Sequence, residues 1–445
     1  MAVSCNGASV EVPAHDEVIS TPDQYRRTIT PPKIMSSTAH ETTSGLTEEF
    51  DRDSGYESPP GQEKNGSNIA GKLQQITLPF MQRAVITPEM GEELNMVLRK
   101  IIVRDPAPGE VVVRIYYTGI CRSDACFSVG PGPGYPKHNH VSGHEGIGAV
   151  VKSHDPSLIG HTVGIRYLGS TCGSCTYCLR GLPTSCPSQL NTPKQIAGTF
   201  QEYATVPASC VVRLPEAIWN GKIDPALCAT ALCSGSTALT SLRAAKVRPG
   251  DVVIVAGIGG AIGHMTGAIA KQVLRARVIG IDIKAKINKL LLKDHAQYSD
   301  FALSAPEAHD GDAWLNFHGA LLRACEELRG SCGLTRAAEA VIVSSSSFSA
   351  FWRLDDYVCD GGRIVCVGVP EGENVLAIPL RSVVERNLHL SGNLMGGHRE
   401  ALEVVEYILS GQIKPQITIA ALEDIPAQMQ SIVDCETIGK VVVSI

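Results

Sequence analysis

No run of the 445-residue sequence is long and apolar enough to span a bilayer. The longest, such as VVIVAGIGGAIG, are broken by glycine well short of the roughly 20 residues a spanning helix needs. There is no surplus of basic charge either: 39 Lys+Arg stand against 45 Asp+Glu for a formal net charge of −6, which argues against a nucleic-acid partner. The amino terminus lacks the apolar segment of a secretory signal, and its acidic residues argue against a mitochondrial presequence, so a cytoplasmic location is expected. There the fifteen cysteines stay reduced, and clustered cysteines read as metal ligands rather than as a disulfide framework. Residues 1–75 lack aliphatic periodicity. They are rich in Ser, Thr, Pro and Glu, hold eleven acidic against six basic residues, and cannot bury enough apolar surface to offset the entropy of ordering, so they read as a disordered tail.

What is present fits two globular units. From Gln82 onward, short β-type runs (EVVVRIYYTGI, GIGAVVKSH, HTVGIRY) are punctuated by Gly and Pro and predict a compact β-rich domain over residues 76–236. After about Thr237, apolar strands alternate with helical stretches (DVVIVAG, HMTGAIAKQVLRA, RVIGID, AVIVSS, RIVCVGV), the pattern of a doubly wound parallel sheet over 237–394. Residues 395–445, with the closing run GKVVVSI, are expected to return to the first domain.

Four cysteines, Cys172, Cys175, Cys178 and Cys186, stand at C-x-x-C-x-x-C-x7-C spacing. Thiolates three residues apart in a tight turn converge on one ion, and a fourth closes a tetrahedral site with no place for substrate, which describes a structural zinc. An iron–sulfur cluster is the other metal that shares the first spacings. A second set is scattered: Cys121 in GICRSDAC, His144 and Glu145 in SGHEGIG, and Cys233 in ALCSGSTAL. Singly each is weak, since a buried cysteine is usually a small hydrophobe. Together they match a two-cysteine, one-histidine catalytic zinc whose fourth position is left to water or substrate.

DVVIVAGIGGAIGHM is an apolar strand running into a glycine-rich turn and then a helix, with Gly257, Gly260 and Gly263 three apart and Gly259 between. The stricter G-x-G-x-x-G fails because Ile262 holds its last position. The context still favours a dinucleotide: helix N-terminal amides can hold a pyrophosphate, and Asp282 in VIGID can accept hydrogen bonds from ribose hydroxyls while repelling a 2′-phosphate. NAD is therefore favoured over NADP, although Lys284 and Lys286 follow closely.

From about residue 80 to 445 these motifs, together with GTFQEYA, VCVGVP and IGKVVVSI and in this order, resemble the zinc-dependent alcohol dehydrogenases of the medium-chain dehydrogenase/reductase superfamily, nearest to the microbial tetrameric type. The tail has no counterpart. The resemblance implies an α/β architecture, a Rossmann-type NAD domain with a GroES-like catalytic domain, and a homo-oligomer interconverting a small-molecule alcohol and its aldehyde or ketone. It implies catalytic-zinc ligation by Cys121, His144 and Cys233, with Glu145 able to approach the metal, Ser123 bonding the alcohol oxygen and Asp124 supporting the site. It further implies cofactor contacts from Arg122 and Lys440 to the pyrophosphate, from Thr237 to the nicotinamide, and from the backbone around Val367 and Val369 to the carboxamide. Two other readings share parts of the pattern: a zinc-free quinone or enone reductase of the same superfamily, and a non-catalytic NAD- and zinc-binding scaffold.

The sequence departs from the family in two places. Cys126 stands where a histidine commonly ends a proton relay, and a thiol with a pKa of about 8.5 is a poor base at pH 7. His138 and His140 are the substitutes at hand, and each reads as a loop or surface residue. Tyr167 and Gly132 occupy wall positions that are commonly larger, which suggests a substrate bulkier than ethanol.

Overall fold

The computed structural model describes residues 77–91, 93–129, 138–291, 295–330, 337–370, 372 and 374–445. The expected tail over residues 1–75 and the wall position Gly132 lie outside the described residues. Two sheets organise the rest. The first has seven strands, in the order Val211–Arg213, Thr162–Arg166, Glu145–Ser153, Glu110–Ile120, Lys440–Ser444 and Ile417–Ala421, with Tyr203–Pro207 also pairing with Glu110–Ile120. Its central strands are sealed on both faces. Glu145–Ser153 has eight of nine residues buried, so the alternation expected of a half-solvated strand is absent. A smaller sheet of Val97–Ile102, Met81–Glu89 and His138–His140 packs beside it.

The strand Lys440–Ser444 pairs antiparallel with Glu110–Ile120 of the first sheet, Val441 facing Ile120. Parallel pairing with Ile417–Ala421 covers its other edge. The sheet therefore contains strands from both ends of the described chain, with the second unit inserted between them.

That second unit is a six-stranded, all-parallel sheet in the order Phe301–Ser304, Arg277–Asp282, Val252–Ala256, Ala338–Val343, Val358–Cys366 and His389–Gly392. Val252–Ala256 is buried at every position, as a strand covered by helices on both faces must be. Chain order runs outward from this strand on one side and resumes on the other. The boundary between Val252–Ala256 and Ala338–Val343 is thus a topological switch point, where ligands of such sheets bind. The expected domain boundary at 236/237 falls inside the helix Ser234–Ala244, a continuous element that carries the chain from one unit to the other. One apolar cluster joins the units: it contains Ile147 and Val442 of the first sheet, Leu232 and Leu239, and Val253 and Ile342 of the parallel sheet.

Candidate metal and nucleotide site

Cys121 precedes the short helix Arg122–Phe127, and Asp124 in its first turn organises the neighbourhood. Asp124 is fully buried. Its Oδ2 accepts the Cys121 amide at 2.9 Å, while Oδ1 accepts the Gly143 amide at 3.1 Å and lies 2.8 Å from Nδ1 of His144. A carboxylate on Nδ1 fixes that nitrogen as the donor and leaves Nε2 free for a metal. Burial would pull the His144 imidazole down, but Asp124 and Cys121 outweigh it and hold its pKa well above the usual range. Contact with Cys233 holds the Cys121 thiol well below its usual value, with Lys440 and His144 assisting.

Cys121, His144, Glu145 and Cys233 come from three separate segments, and one ligand atom from each lies within 4.8 Å of all the others. The Ser123 hydroxyl is 3.2 Å from the Cys121 sulfur, at the edge of this set. Phe127 and Tyr167 stack at 5.3 Å, and both rings lie edge-on to His144, making an aromatic wall. Tyr167 was expected there. Phe127 was missed, although its place four residues after Ser123 puts it on the same face of the helix.

The second group converges as well: the sulfurs of Cys172, Cys175, Cys178 and Cys186 lie within 4.8 Å of one another. Separations of 3.6 Å, 3.6 Å and 3.9 Å match the roughly 3.8 Å edge of a tetrahedron built on Zn–S bonds of about 2.3 Å. Backbone amides turn toward two of the sulfurs, Cys175 N to Cys172 at 3.3 Å and Cys172 N to Cys186 at 3.5 Å. Amides from Ser174 and Cys175 bring the Cys172 thiol down to about 6. The donor set and its spacing fit a closed zinc site.

At the switch point, Gly257 has φ of +91°, and a Cβ there would stand 2.9 Å from the Ser345 amide nitrogen. A Cβ on Gly263 would stand 1.9 Å from the Gly257 carbonyl oxygen, so only glycine lets the helix Ala261–Ala268 approach the turn. Gly260 caps that helix, and the Gly259 amide donates to Asp282 Oδ2 at 2.8 Å, tying the acidic end of the second strand to the turn. Thr237 is buried and its hydroxyl donates to the Cys233 carbonyl at 2.7 Å. Val367 and Gly368 donate their amides to the Val343 carbonyl, and Val369 is exposed beyond them.

Two residues expected at the cofactor phosphates use their charges elsewhere. Arg122 donates from Nη1 to the Val433 carbonyl at 2.8 Å and the Ile432 carbonyl at 3.3 Å, capping the helix Ile425–Val433. Lys440 is only 1% exposed; its ammonium pairs with Glu145 and donates to the Ser234 hydroxyl at 3.3 Å. The physical reason is Glu145 itself, a fully buried carboxylate whose pKa burial pushes up to about 7 and which needs a counter-charge. The backbone next to Lys440 does meet the turn, since the Gly439 amide donates to the Gly259 carbonyl at 2.9 Å. Adjacent residues thus touch the glycine turn and the metal set.

The histidine substitutes also differ from expectation. Both lie in the strand His138–His140, and His140 is buried rather than on the surface, with burial taking its pKa down to about 4. Arg166, fully buried at the end of Thr162–Arg166, was missed altogether; a charge closing an otherwise apolar strand was the available signal.

The family model described as Alcohol dehydrogenase GroES-like domain matches residues 107–216. An alcohol dehydrogenase of Geobacillus stearothermophilus is 32% identical over 320 residues, covering 71% of this chain and 86% of that protein. The fold is similar to that of a crystal structure of an NAD-dependent alcohol dehydrogenase, with a TM-score of 0.67 and 23% identity over 82% of this chain and 99% of that one. It is similar also to a cobalt- and zinc-bound thermostable alcohol dehydrogenase from Pyrobaculum aerophilum, with a TM-score of 0.65 and 23% identity over 82% of this chain and 100% of that one. With its glycine turn at the switch point of a parallel sheet and a carboxy-terminal return into a GroES-like unit, the chain belongs to the alcohol dehydrogenases of the medium-chain dehydrogenase/reductase superfamily, enzymes that interconvert alcohols and aldehydes.

Proposed function

We propose that this enzyme uses a catalytic zinc held by Cys121, His144 and Cys233 and a structural zinc held by Cys172, Cys175, Cys178 and Cys186, and that it exchanges hydride with NAD(H). The observation that carries the proposal is the convergence of Cys121, His144 and Cys233, distant in sequence, within 4.8 Å. When bound, zinc supplies Lewis-acid polarisation of an alcohol or carbonyl oxygen, and NAD the ring that takes or gives hydride.

The chain's own residues do the rest. Asp124 holds His144 in one tautomer. Ser123, beside Cys121, takes the hydroxyl proton of the substrate and passes it toward the cofactor ribose or water, because Cys126 and the buried His140 are poor bases at pH 7. Glu145 is free on one oxygen, as its buried Oε2 has no partner among the described residues, and it would be the group at hand to hold the ion while another ligand exchanges. Arg122 and Lys440 would be the basic groups for the pyrophosphate, each giving up a present partner, Arg122 the Val433 carbonyl and Lys440 the Glu145 carboxylate. The amides around Gly257, Gly259, Gly260 and Gly263 would hold the phosphates, Asp282 would take the ribose hydroxyls and favour NAD over NADP, and Thr237, Val367 and Val369 would flank the nicotinamide.

Tyr167, in place of the larger side chain common at that wall position, supports a substrate bulkier than ethanol, and its stack with Phe127 forms one wall of the site. A homo-oligomer is supported by the uncovered edge strand His389–Gly392, which with Leu380, Val384 and Leu394 leaves apolar side chains exposed. Among the described residues no helix is long and apolar enough to cross a membrane, and the reduced thiols that both metal sets require support a cytoplasmic location.

Metal analysis with a substrate panel tests the proposal. Two zincs per chain and NADH formation from bulky primary or secondary alcohols, faster than from ethanol, are expected. One zinc per chain, or turnover unaffected by removing the second, would overturn the catalytic-metal assignment.

A further inference from the structure

Cys233 sits at a break. The 3-10 turn Thr230–Leu232 ends before it, the helix Ser234–Ala244 begins after it, and its own backbone, at φ −130° and ψ −70°, belongs to neither. A residue in such a conformation keeps its side-chain direction only if its flanking peptides are held from outside.

Arg166 does the holding. Its Nε donates to the Leu232 carbonyl at 2.7 Å, immediately before Cys233. Its Nη2 donates to the Ser236 hydroxyl at 3.1 Å, and that hydroxyl in turn donates to the carbonyl of Cys233 at 3.0 Å. The same Nη2 reaches the Gly396 carbonyl at 2.7 Å. Gly396 lies where the chain leaves the parallel-sheet unit, and Ser236 where it enters; a Cβ on Gly396 would stand 2.3 Å from the Ser236 carbonyl oxygen, so the two connections are pressed together. One guanidinium therefore grips both sides of Cys233 and both connections at once. It is fully buried, no carboxylate pairs with it among the described residues, and its Nη1 has no partner among them. Glu145 faces it directly across the antiparallel strands. A buried cation with no carboxylate at salt-bridge distance among the described residues is costly as mere packing, and the rigid fork of an arginine, unlike the single point of a lysine, reaches several acceptors in fixed directions.

We propose that Arg166 is a positioning residue for the catalytic metal set: it fixes the Cys233 thiol by clamping the peptides on either side and anchoring them to the junction between the two units. This rests on the reading of Cys233 as a ligand.

The test uses the full-length zinc-loaded protein and chelator competition that resolves its two ions, with cobalt substitution to follow thiolate-to-metal absorption. In Arg166→Met the apparent affinity for the catalytic ion should fall about 10- to 100-fold while the four-cysteine ion keeps its wild-type affinity, which an overall loss of stability would not produce. Arg166→Lys should fall between the two. Ser236→Ala, which removes one arm of the clamp and serves if Arg166→Met does not fold, should weaken the same ion alone and alter its cobalt spectrum. Wild-type affinity for both ions in these variants, or equal loss at both, overturns the clamp while leaving the catalytic-metal reading intact. A wild-type protein that holds only one ion overturns that reading and the clamp with it.

Discussion

Asp124 binds Cys121 and His144 through one carboxylate, Oδ2 on the Cys121 amide and Oδ1 on the His144 ring, so two proposed ligands from different segments share a single buried anchor. Asp124→Asn keeps the shape but loses the charge, and one of its two amide positions becomes a donor facing another donor. We expect the catalytic ion to bind about 10- to 100-fold more weakly, read by chelator competition, with the four-cysteine ion unchanged.

The four-cysteine lobe should act on stability alone. Cys178→Ser removes one sulfur from a set spaced for a closed tetrahedron, and the expected result is one zinc fewer per chain with a Tm lower by more than about 5 °C. Retention of both zincs with unchanged melting, by metal analysis and calorimetry, would refute the structural-site assignment.

His264 makes folding sensitive to acid. It is buried in the helix that opens at the glycine turn; its Nδ1 donates to the Gly260 carbonyl at 3.0 Å, and its Nε2 has no partner among the described residues. Burial, with the Lys440 charge adding to it, takes its pKa down to about 4. The unfolded chain takes up this proton near pH 6.5, whereas the folded protein resists it to about pH 4. The stability involved is therefore complete above pH 6.5 and lost as pH falls toward 4, an effect of up to about 3 kcal/mol. A plot of Tm against pH should flatten over that window in His264→Gln; an unchanged slope would show that other groups carry the acid sensitivity.

Local chemistry was the readable part of the sequence. Glycines 257 and 263 announce a turn because their spacing answers to backbone sterics, and the cysteines from Cys172 to Cys186 announce a set of converging thiols because their spacing suits a tight turn. The strands around Val252 and Val441 read correctly for the same reason, since apolar run and length are local properties. Partner choice was not readable. The pairing of Lys440 with Glu145 is not written in the letters around Lys440, nor is the closing of two interdomain connections over Arg166 written in those around Arg166. His140 looks like a loop residue because three residues of strand are too few to leave a pattern. In each case burial is decided by elements far away in the sequence, which the neighbouring letters mark weakly at most.

The ion pair between Glu145 and Lys440 spans 295 residues of sequence, and the whole parallel-sheet unit lies between the partners. Until the strand bearing Lys440 zips onto Glu110–Ile120, Glu145 has no counter-charge and the first sheet has an open edge in its middle. A chain that stalls during synthesis before that strand emerges therefore carries every proposed zinc ligand, yet leaves the carboxylate among them without its counter-charge.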